Sequence, residues 1–271
     1  MATRHAALIT GAAGGIGAAT AERLARAGAF VIVSGRRREA CEALAERIRA
    51  GGGSAAAIVL DVGSADSIFR GAGEAWAALE AAGAEAIDWI VNHAGIALSA
   101  PFAARGEGGV DLYAEHMRIN FHGARTVVEA FLADMHARGY GRIVNVGSSA
   151  GLRGYRYAAA YCASKHALIG YTRVAAQELA KSGIAMGAVC PHYVDTPMTE
   201  RSVRRMVEAT GRREDDVRRF LAEQNPGGRL VTVNEVAEAI VALLNAEAAD
   251  ASAIVELDGS GEPRVLERLG R

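Results

Sequence analysis

The stretch that decides the fold is Ala6–Gly28, AALITGAAGGIGAATAERLARAG. It opens with small and apolar residues typical of a buried strand, turns on four glycines within residues 11–17, and continues with apolar residues at helical spacing. Glycines let a backbone turn sharply and approach a pyrophosphate, and the helix that follows would point its N-terminal N–H groups at the phosphates. A glycine-rich turn alone indicates only turn geometry, but strand, turn and helix in this order predict a dinucleotide-binding unit.

Six further short apolar runs follow this unit, and helical patterns separate them. The predicted strands are Ala6–Thr10, Phe30–Ser34, Ala56–Asp61, Ile87–Asn92, Arg142–Gly147, Ala185–Cys190 and Ile254–Asp258. The predicted helices are Gly17–Ala27, Arg38–Ala50, Ala65–Ala81, Leu112–Ala137, Ala158–Lys181 and Asn234–Leu244. The strand runs are continuously apolar, as in parallel strands covered by helices on both faces. The chain is therefore predicted to be an α/β protein with a doubly wound, Rossmann-like parallel sheet of about seven strands.

Composition limits both the architecture and the partners. Half of the 271 residues are apolar, which suits one large domain, so residues 1–271 are expected to form a single Rossmann-like domain. A formal net charge of -1 provides no positive surface for nucleic acid or an anionic membrane, and no apolar run reaches the length of a membrane span. The N-terminus lacks an apolar signal region, and Cys41, Cys162 and Cys190 form no disulfide framework or zinc motif. We expect a cytoplasmic protein that binds no metal, nucleic acid or membrane.

Two stretches depart from the alternation of strands and helices. Ser99–Gly109 is a loop rich in glycine and alanine, and Thr196–Gly228 is a charged insertion. Ligands of doubly wound sheets bind beyond the carboxyl ends of the strands, so both stretches are predicted walls of a substrate pocket, with a lid at 196–228. The lid arginines are Arg201, Arg204, Arg205, Arg212, Arg213, Arg218 and Arg219, and its carboxylates are Glu200, Glu208, Glu214, Asp215, Asp216 and Glu223. The arginines could bind the phosphates of an acyl thioester, but a solvated helix pair with local ion pairs is the favoured interpretation.

Tyr161 and Lys165 are the candidate acid/base pair. They stand four residues apart in a predicted helix, so their side chains share one face. A free phenol has a pKa of ~10, and a nearby ammonium lowers it, which makes general acid/base chemistry feasible. Ser148 follows a predicted strand thirteen residues before Tyr161, so its hydroxyl is expected at the same sheet edge. The adjacent Ser149 is expected to cap a turn.

These residues resemble the motifs of the short-chain dehydrogenase/reductase family. Residues 10–17 match TGxxxGxG, residues 92–95 match NNAG apart from His93, and residues 161–165 match YxxxK. Residues 191–196, Pro-His-Tyr-Val-Asp-Thr, are similar to PGxVxT with His192 in place of the glycine. The resemblance covers nearly the whole chain and ends with the Asp-Gly pair after the last predicted strand.

The resemblance implies an NAD(P)-dependent oxidoreductase acting on CH–OH groups. The catalytic residues it implies are Asn120, Ser148, Tyr161 and Lys165. Tyr161 would donate a proton to a carbonyl oxygen that Ser148 also holds, while the cofactor delivers hydride; the reverse reaction would oxidise an alcohol. Lys165 would lower the tyrosine pKa and bind the nicotinamide ribose, and Asn120 would support it through a water chain. The implied cofactor-binding residues are Thr10, Gly11, Gly15, Ile16, Gly17, Arg36, Asp61, Val62, Asn92, Ala94, Gly95, Tyr161, Lys165, Pro191, Val194 and Thr196.

The end of the second predicted strand favours NADP(H). An NAD enzyme would place an acidic residue here for the ribose 2′-hydroxyl, but the chain has Ser34-Gly35-Arg36-Arg37. Without a carboxylate nothing repels a 2′-phosphate, and Arg36 could pair with it. Gly14 stands where many NADP-using relatives carry a second basic residue, so NAD remains an alternative.

Two histidines depart from the family pattern. His93 is expected to be a hydrogen-bonding substitute rather than a catalytic group. His192 would lie near the nicotinamide, where it could narrow the pocket, contact substrate or adapt to a changed backbone, and steric shaping is the favoured interpretation. The others, His5, His116, His122, His136 and His166, lack metal-ligand spacing and are expected to be structural.

The leading hypothesis is an NADP(H)-dependent enzyme that interconverts a ketone and a secondary alcohol, with 3-ketoacyl and 3-hydroxyacyl compounds among its candidate substrates. The alternatives are a non-catalytic nucleotide-sensing protein on the same fold and a small-alcohol dehydrogenase that uses NAD. A sugar-nucleotide epimerase or dehydratase would need a longer chain. The resemblance also implies a homotetramer or homodimer built on the helices Leu112–Ala137 and Ala158–Lys181 and the C-terminal strand.

Overall fold

The computed structural model describes residues 5–102, 104 and 109–270. Its strands are β1 (Ala6–Thr10), β2 (Phe30–Gly35), β3 (Ser54–Val59), β4 (Trp89–Asn92), β5 (Gly141–Val146), β6 (Ile184–Pro191), β7 (Ala253–Leu257) and β8 (Arg264–Arg268). Its α-helices are α1 (Gly15–Arg26), α2 (Arg38–Ala50), α3 (Ala65–Ala82), α4 (Leu112–His116), α5 (Ala124–Arg138), α6 (Ala159–Leu179), α7 (Pro197–Thr210), α8 (Glu214–Glu223), α9 (Val233–Asn245) and α10 (Ala248–Ala251). A π-helical segment, Met117–Gly123, joins α4 to α5, and 3-10 turns occupy Ser149–Gly151 and Ala180–Ser182.

The strands form one sheet in the order β3-β2-β1-β4-β5-β6-β7-β8. All neighbouring pairs are parallel except β7 and β8, which are antiparallel. The predicted doubly wound sheet is confirmed, with an eighth strand beside the expected seven. The winding reverses at β1, which lies between β2 and β4, and a ligand crevice opens beyond the carboxyl ends of the strands at such a point.

Burial on both faces of the sheet explains the continuous apolar runs of its strands. Every residue of β1, β2 and β4 is buried. One hydrophobic layer includes Leu24 of α1, Leu44 of α2 and Ile240 of α9. The opposite layer includes Leu79 of α3 and Phe131 of α5. Each side chain of a central strand therefore meets a layer of helices.

Two predicted features of the fold are corrected. The sequence patterns miss β8 because its residues, RVLER, contain only two apolar residues among three charged ones and are mostly exposed at the edge of the sheet. The single helix predicted at Leu112–Ala137 is interrupted by the π segment. Its last residue, Gly123, lies against the loop after β3, and a Cβ on Gly123 would stand 2.4 Å from the carbonyl oxygen of Val62. This contact joins residues that are distant along the chain, so the helical spacing of apolar residues cannot predict it.

The segment predicted as a lid contains two helices, α7 and α8. Val203, Val217 and Leu221 form a small apolar cluster between them. Arg218 is paired with Glu200 and Glu214 across and along the two helices. This arrangement agrees with the favoured interpretation, a helix pair with local ion pairs. Within the other predicted wall, Ser99–Gly109, residues 103 and 105–108 lie outside the described residues, as do residues 1–4 and 271.

Candidate active site

The glycine turn lies against the end of β4. The hydroxyl of Thr10 accepts hydrogen bonds from the backbone N–H groups of His93 at 3.1 Å and Ala94 at 3.2 Å. Gly11 has a φ of 65°, and a Cβ there would stand 2.8 Å from the Cα of Ala94. A Cβ at Gly17 would stand 2.8 Å from the Cα of Ala12. The turn can therefore hold its shape only with glycines at these positions.

The turn and the start of α1 fit a pyrophosphate. The N-cap residue Gly14 gives no side-chain hydrogen bond to the first turn, and the first turn contains no acidic residue, so its N–H groups are open to an anion. Gly15 has a φ of 56°, and a Cβ there would lie 3.7 Å from the methyl group of Thr196, which brings the segment after β6 beside the turn. Ile16 is buried in the first turn of α1.

The ends of β2 and β3 form the neighbouring part of the crevice. Ser34 is buried and its hydroxyl donates to the carbonyl of Ile9 at 2.9 Å. Arg36 is exposed just beyond β2, and neither an ion pair nor a hydrogen bond joins its side chain to another described residue. Asp61 accepts a hydrogen bond from the N–H of Gly63 at 2.9 Å, and Val62 is buried against the π segment. A cation without a carboxylate beside it at the end of β2 suits a 2′-phosphate.

The residues after β4 divide between the interior and the crevice. The amide of Asn92 donates to Asn145 at 2.9 Å inside the sheet, so its side chain is engaged in the core. His93 Nδ1 lies 3.1 Å from the carbonyl oxygen of Gly11, and burial lowers the His93 pKa to about 4. The neutral ring is therefore a hydrogen-bonding group, as expected. A Cβ at Gly95 would stand 3.0 Å from the side-chain oxygen of Asn120.

Tyr161 and Ser148 meet at the carboxyl edge of the sheet. Ser148 caps the 3-10 turn that follows β5, its hydroxyl accepting from the N–H of Ala150 at 3.1 Å. The expectation that Ser149 is the cap is wrong, since its hydroxyl accepts from the hydroxyl of Tyr155 instead. Burial raises the pKa of Tyr161 to about 12, and a side-chain hydrogen bond with Ser148 opposes that rise. At neutral pH the phenol is therefore protonated.

Lys165 lies one helical turn from Tyr161 on α6. Its ammonium donates to the carbonyl of Val146 at 2.7 Å and stands 5.9 Å from the centre of the Tyr161 ring. Burial lowers the pKa of Lys165 to about 8. The net shift of the Tyr161 pKa is upward, because removing the phenol from water outweighs its hydrogen bond with Ser148. The expected lowering of this pKa by Lys165 stays a prediction.

Asn120 occupies the middle of the π segment and is buried. Its side chain accepts from the N–H of Ile96 at 2.8 Å and donates to the carbonyl of Ile96 at 2.9 Å. It also donates to the hydroxyl of Ser164, the neighbour of Lys165, at 3.0 Å. Asn120 therefore connects the loop after β4 to α6, rather than facing solvent as an ordinary helical asparagine would.

His116 is a buried neighbour of Tyr161 that the sequence did not mark for this position. Its Nδ1 lies 2.7 Å from the carbonyl oxygen of Leu112, its Nε2 accepts from the N–H of Leu98 at 3.0 Å, and its ring meets the Tyr161 ring edge-on at 6.2 Å. This supports the structural role expected of it and places that role beside the phenol. Leu98 and Tyr161 are both far from His116 along the chain, and no motif contains them together, so the sequence contains no signal for this contact.

The segment after β6 turns His192 inward. Pro191 ends β6, Val194 pairs with Val231, and Thr196 caps α7 by accepting from the N–H of Thr199 at 3.3 Å. The side chain of His192 is 0% exposed, and its Nε2 lies 2.9 Å from a carboxylate oxygen of Glu256. The favoured interpretation that His192 narrows the pocket sterically is wrong, since this partner on β7 holds its ring in the interior.

Comparison with known proteins places this arrangement in a family. A family model described as short chain dehydrogenase matches residues 5–206. The chain belongs to the short-chain dehydrogenase/reductase family. The cis-4-hydroxycyclohexanecarboxylate dehydrogenase of Sinomonas cyclohexanicum is 37% identical over 257 residues, which cover 93% of this chain and 94% of that protein. The D-beta-hydroxybutyrate dehydrogenase of Cupriavidus necator is 33% identical over 267 residues, covering 93% and 96%.

The solved structures include close matches of the whole fold. A crystal structure of an actinorhodin polyketide ketoreductase variant with NADPH superposes with a TM-score of 0.86 at 31% identity, covering 95% of this chain and 97% of that one. As a short-chain dehydrogenase/reductase, the chain is an oxidoreductase of a family that binds NAD(P). The non-catalytic sensor is thereby set aside, because the related proteins are named as dehydrogenases and reductases.

Within residues 5–102, 104 and 109–270, no cluster of histidine, cysteine and acidic side chains is arranged as a metal site. Over the same part of the chain, the helices are all too short or too polar to span a membrane.

Proposed function

We propose that this short-chain dehydrogenase/reductase is an NADP(H)-dependent enzyme that interconverts a ketone and a secondary alcohol, with Tyr161 as its acid/base. The observation that carries the proposal is that Tyr161, Ser148 and Lys165 converge at the carboxyl edge of the sheet, near a glycine turn shaped for a pyrophosphate. Relatives named for hydroxyl and keto substrates support the reaction class.

The chemistry follows from the ionisation of the site. The nicotinamide, when bound, supplies or accepts the hydride. Tyr161 is protonated at neutral pH because burial raises its pKa to about 12, so it can give its proton to a carbonyl oxygen that Ser148 also holds. In the reverse direction the phenolate takes the proton of an alcohol, and rising pH favours that form. Lys165, on the same helix face, is proposed to bind the nicotinamide ribose.

The preference for NADP(H) rests on the end of β2. Arg36 is exposed there without an ion-pair partner among the described residues, and residues 34–37 contain no carboxylate. A guanidinium in this place would pair with a 2′-phosphate. Within the lid, Arg218 and Arg219 are paired with neighbouring carboxylates. Arg201, Arg204 and Arg205 are exposed without an ion pair to a described residue, so 3-ketoacyl and 3-hydroxyacyl compounds stay among the candidate substrates. We therefore propose one domain with a lid at 196–228 over a ketone or alcohol pocket.

The direct test is Tyr161→Phe, assayed on a panel of carbonyl compounds with NADPH. Loss of the proton donor should lower turnover by a factor on the order of 100 or more while leaving NADPH affinity, measured by fluorescence titration, nearly unchanged. Tyr157→Phe is the matched control, since Tyr157 is 58% exposed and four residues earlier. Near-normal turnover in the Tyr161 variant would contradict the proposed mechanism.

A further inference from the structure

A buried carboxylate stands at the end of the sheet beyond Ser148. Glu256 of β7 is 1% exposed. One of its oxygens accepts from Arg153 Nη2 at 2.6 Å and lies 2.9 Å from His192 Nε2, and the other accepts from Arg264. Burial alone would raise the Glu256 pKa, but the hydrogen bonds from Arg264, His192 and Arg153 hold it below its ordinary value. The cluster therefore contains a permanent anion that fixes two guanidinium groups.

Arg153 uses only part of its guanidinium in this cluster. Its Nη2 reaches Glu256 and His192, the latter at 3.1 Å, whereas its Nε and Nη1 bind no other described residue. The side chain is 46% exposed although its anchor is buried. Nearby, the pKa of Asp258 is lowered mainly by its hydrogen bonds with Ser260, and the charges of His192 and Arg264 contribute less. Arg153 thus presents open donors in a fixed direction.

The position of Arg153 relative to Tyr161 follows from the chain and the sheet. Its N–H donates to the carbonyl of Ser149 at 3.0 Å, which closes the turn that Ser148 begins. In the strand order, the glycine turn follows β1, Ser148 follows β5, and Glu256 lies on β7. Arg153 therefore lies on the side of Ser148 away from the glycine turn. A substrate whose carbonyl meets Tyr161 and Ser148 would extend toward it.

Aromatic side chains connect this cluster to the acid/base. Tyr193, the neighbour of His192, acts on the Tyr161 pKa and meets the ring of Tyr155 edge-on at 6.3 Å. The hydroxyl of Tyr155 donates to Ser149 at 2.8 Å. One nitrogen of the buried His192 ring, Nδ1, has no hydrogen-bond partner among the described residues. Two tyrosine rings thus stand near Tyr161, and the open donors are those of Arg153, a combination of aromatic and polar groups typical of a site for a small polar ligand.

We propose that Arg153, anchored by Glu256 and His192, binds a carboxylate of the substrate, so that the enzyme acts on oxo acids and the corresponding hydroxy acids. This inference rests on the proposed function of the Tyr161 site. A guanidinium fork matches the two oxygens of a carboxylate, and an arginine already ordered by a buried partner loses little further entropy when the substrate binds. His192 and Glu256 act through Arg153 as positioning residues.

The experiment compares 4-oxocyclohexanecarboxylate with its methyl ester, which keeps the ring and carbonyl but removes the charge. With NADPH, Arg153→Gln should lower kcat/KM for the acid by roughly 10- to 100-fold, mainly through KM, and for the ester by less than about 3-fold. Arg153→Lys should restore part of the activity on the acid. Arg156→Gln is the matched control, because Arg156 lies on the same loop with its guanidinium over the Tyr157 ring. It should leave both substrates unaffected.

A second measurement separates this inference from the proposed function. Cyclohexanecarboxylate and cyclohexanecarboxamide are titrated calorimetrically into the parent and the Arg153→Gln protein, each saturated with NADPH. If the parent binds the carboxylate more tightly than the carboxamide and the variant does not, the inference is supported. This holds even if neither ketone is reduced, because a lack of reduction would count only against the proposed function. Two results would overturn the inference: equal binding of the two probes to the parent, or an equal decrease of kcat/KM for the acid and the ester in Arg153→Gln. Arg153 would then have only a structural role.

Discussion

Tyr161 and Lys165 are both buried, and burial moves their pKa values in opposite senses. The neutral form of each side chain is favoured, so the Tyr161 pKa rises to about 12 while the Lys165 pKa falls to about 8. For ketone reduction this is useful, since a protonated phenol is the required donor. For stability it is costly, since a lysine that is still charged at pH 7 is held away from water.

This cost predicts how stability depends on pH. Lys165 binds protons less tightly in the folded protein than in the unfolded chain, so its unfavourable contribution is complete below pH 8 and disappears as the pH rises toward 10.5. Between pH 7 and pH 10, the unfolding free energy of the cofactor-free parent should gain about 2–3 kcal/mol relative to Lys165→Met. Denaturant unfolding of the parent and of Lys165→Met at pH 7 and pH 10 measures this difference in unfolding free energy. A difference independent of pH would contradict the assignment.

The proposed preference for NADP(H) depends on Arg36 and can be tested at the residue scale. If its guanidinium pairs with the 2′-phosphate, Arg36→Ala should weaken NADPH use by about 1–3 kcal/mol in kcat/KM and leave NADH use almost unchanged. Arg26→Ala, on the last turn of α1, provides a control for the loss of an exposed charge. Steady-state kinetics with both cofactors is the measurement. Equal efficiency of NADPH and NADH in the parent would argue against the preference.

At the scale of an element, the glycine turn offers an internally matched test. Gly11 combines a φ of 65° with a Cβ position 2.8 Å from the Cα of Ala94, so Gly11→Ala must displace the end of β4. Gly14 has an extended backbone with no atom within 4 Å of a Cβ. Cofactor affinity should fall at least about 10-fold in Gly11→Ala and stay near the parental value in Gly14→Ala. Comparable affinities in the two variants would show that the turn does not need its left-handed glycine.

The π segment shows why an element can be located but not described from its pattern. Apolar spacing predicts a helix from Leu112 onward, and a helix is there. Its winding changes where Asn120 binds both backbone groups of Ile96 and where Gly123 lies against Val62. These partners come from the loops after β4 and β3, so their effect depends on how the chain packs.

At the scale of the whole molecule, the edge of the sheet bears on assembly. β8 is the last strand, and it exposes Val265 and Leu266. An edge strand with open backbone groups and apolar side chains favours association with another chain. We predict a homotetramer, with a homodimer as the alternative, and light scattering on the eluting peak of a sizing column gives the mass. A monomeric mass at working concentration would refute the prediction.

The sequence by itself determined the sheet, its parallel strands and the glycine turn, because these depend on apolar runs and turn residues that are neighbours along the chain. It also brought Tyr161 and Lys165 together, since a helix places residues four apart on one face. It did not predict β8, because an exposed edge strand can carry charged residues and therefore lacks the apolar run by which the other strands are recognised.

The surroundings of the site were decided only by the tertiary structure. The inward turn of His192 and the anchoring of Arg153 depend on Glu256, which is 103 residues beyond Arg153 along the chain. The Tyr161 pKa rises rather than falls because burial of the ring by everything packed around it outweighs the single hydrogen bond with Ser148 that favours the charged form. Contacts between distant residues and removal from water exist only after the strands have assembled, so no local pattern encodes them.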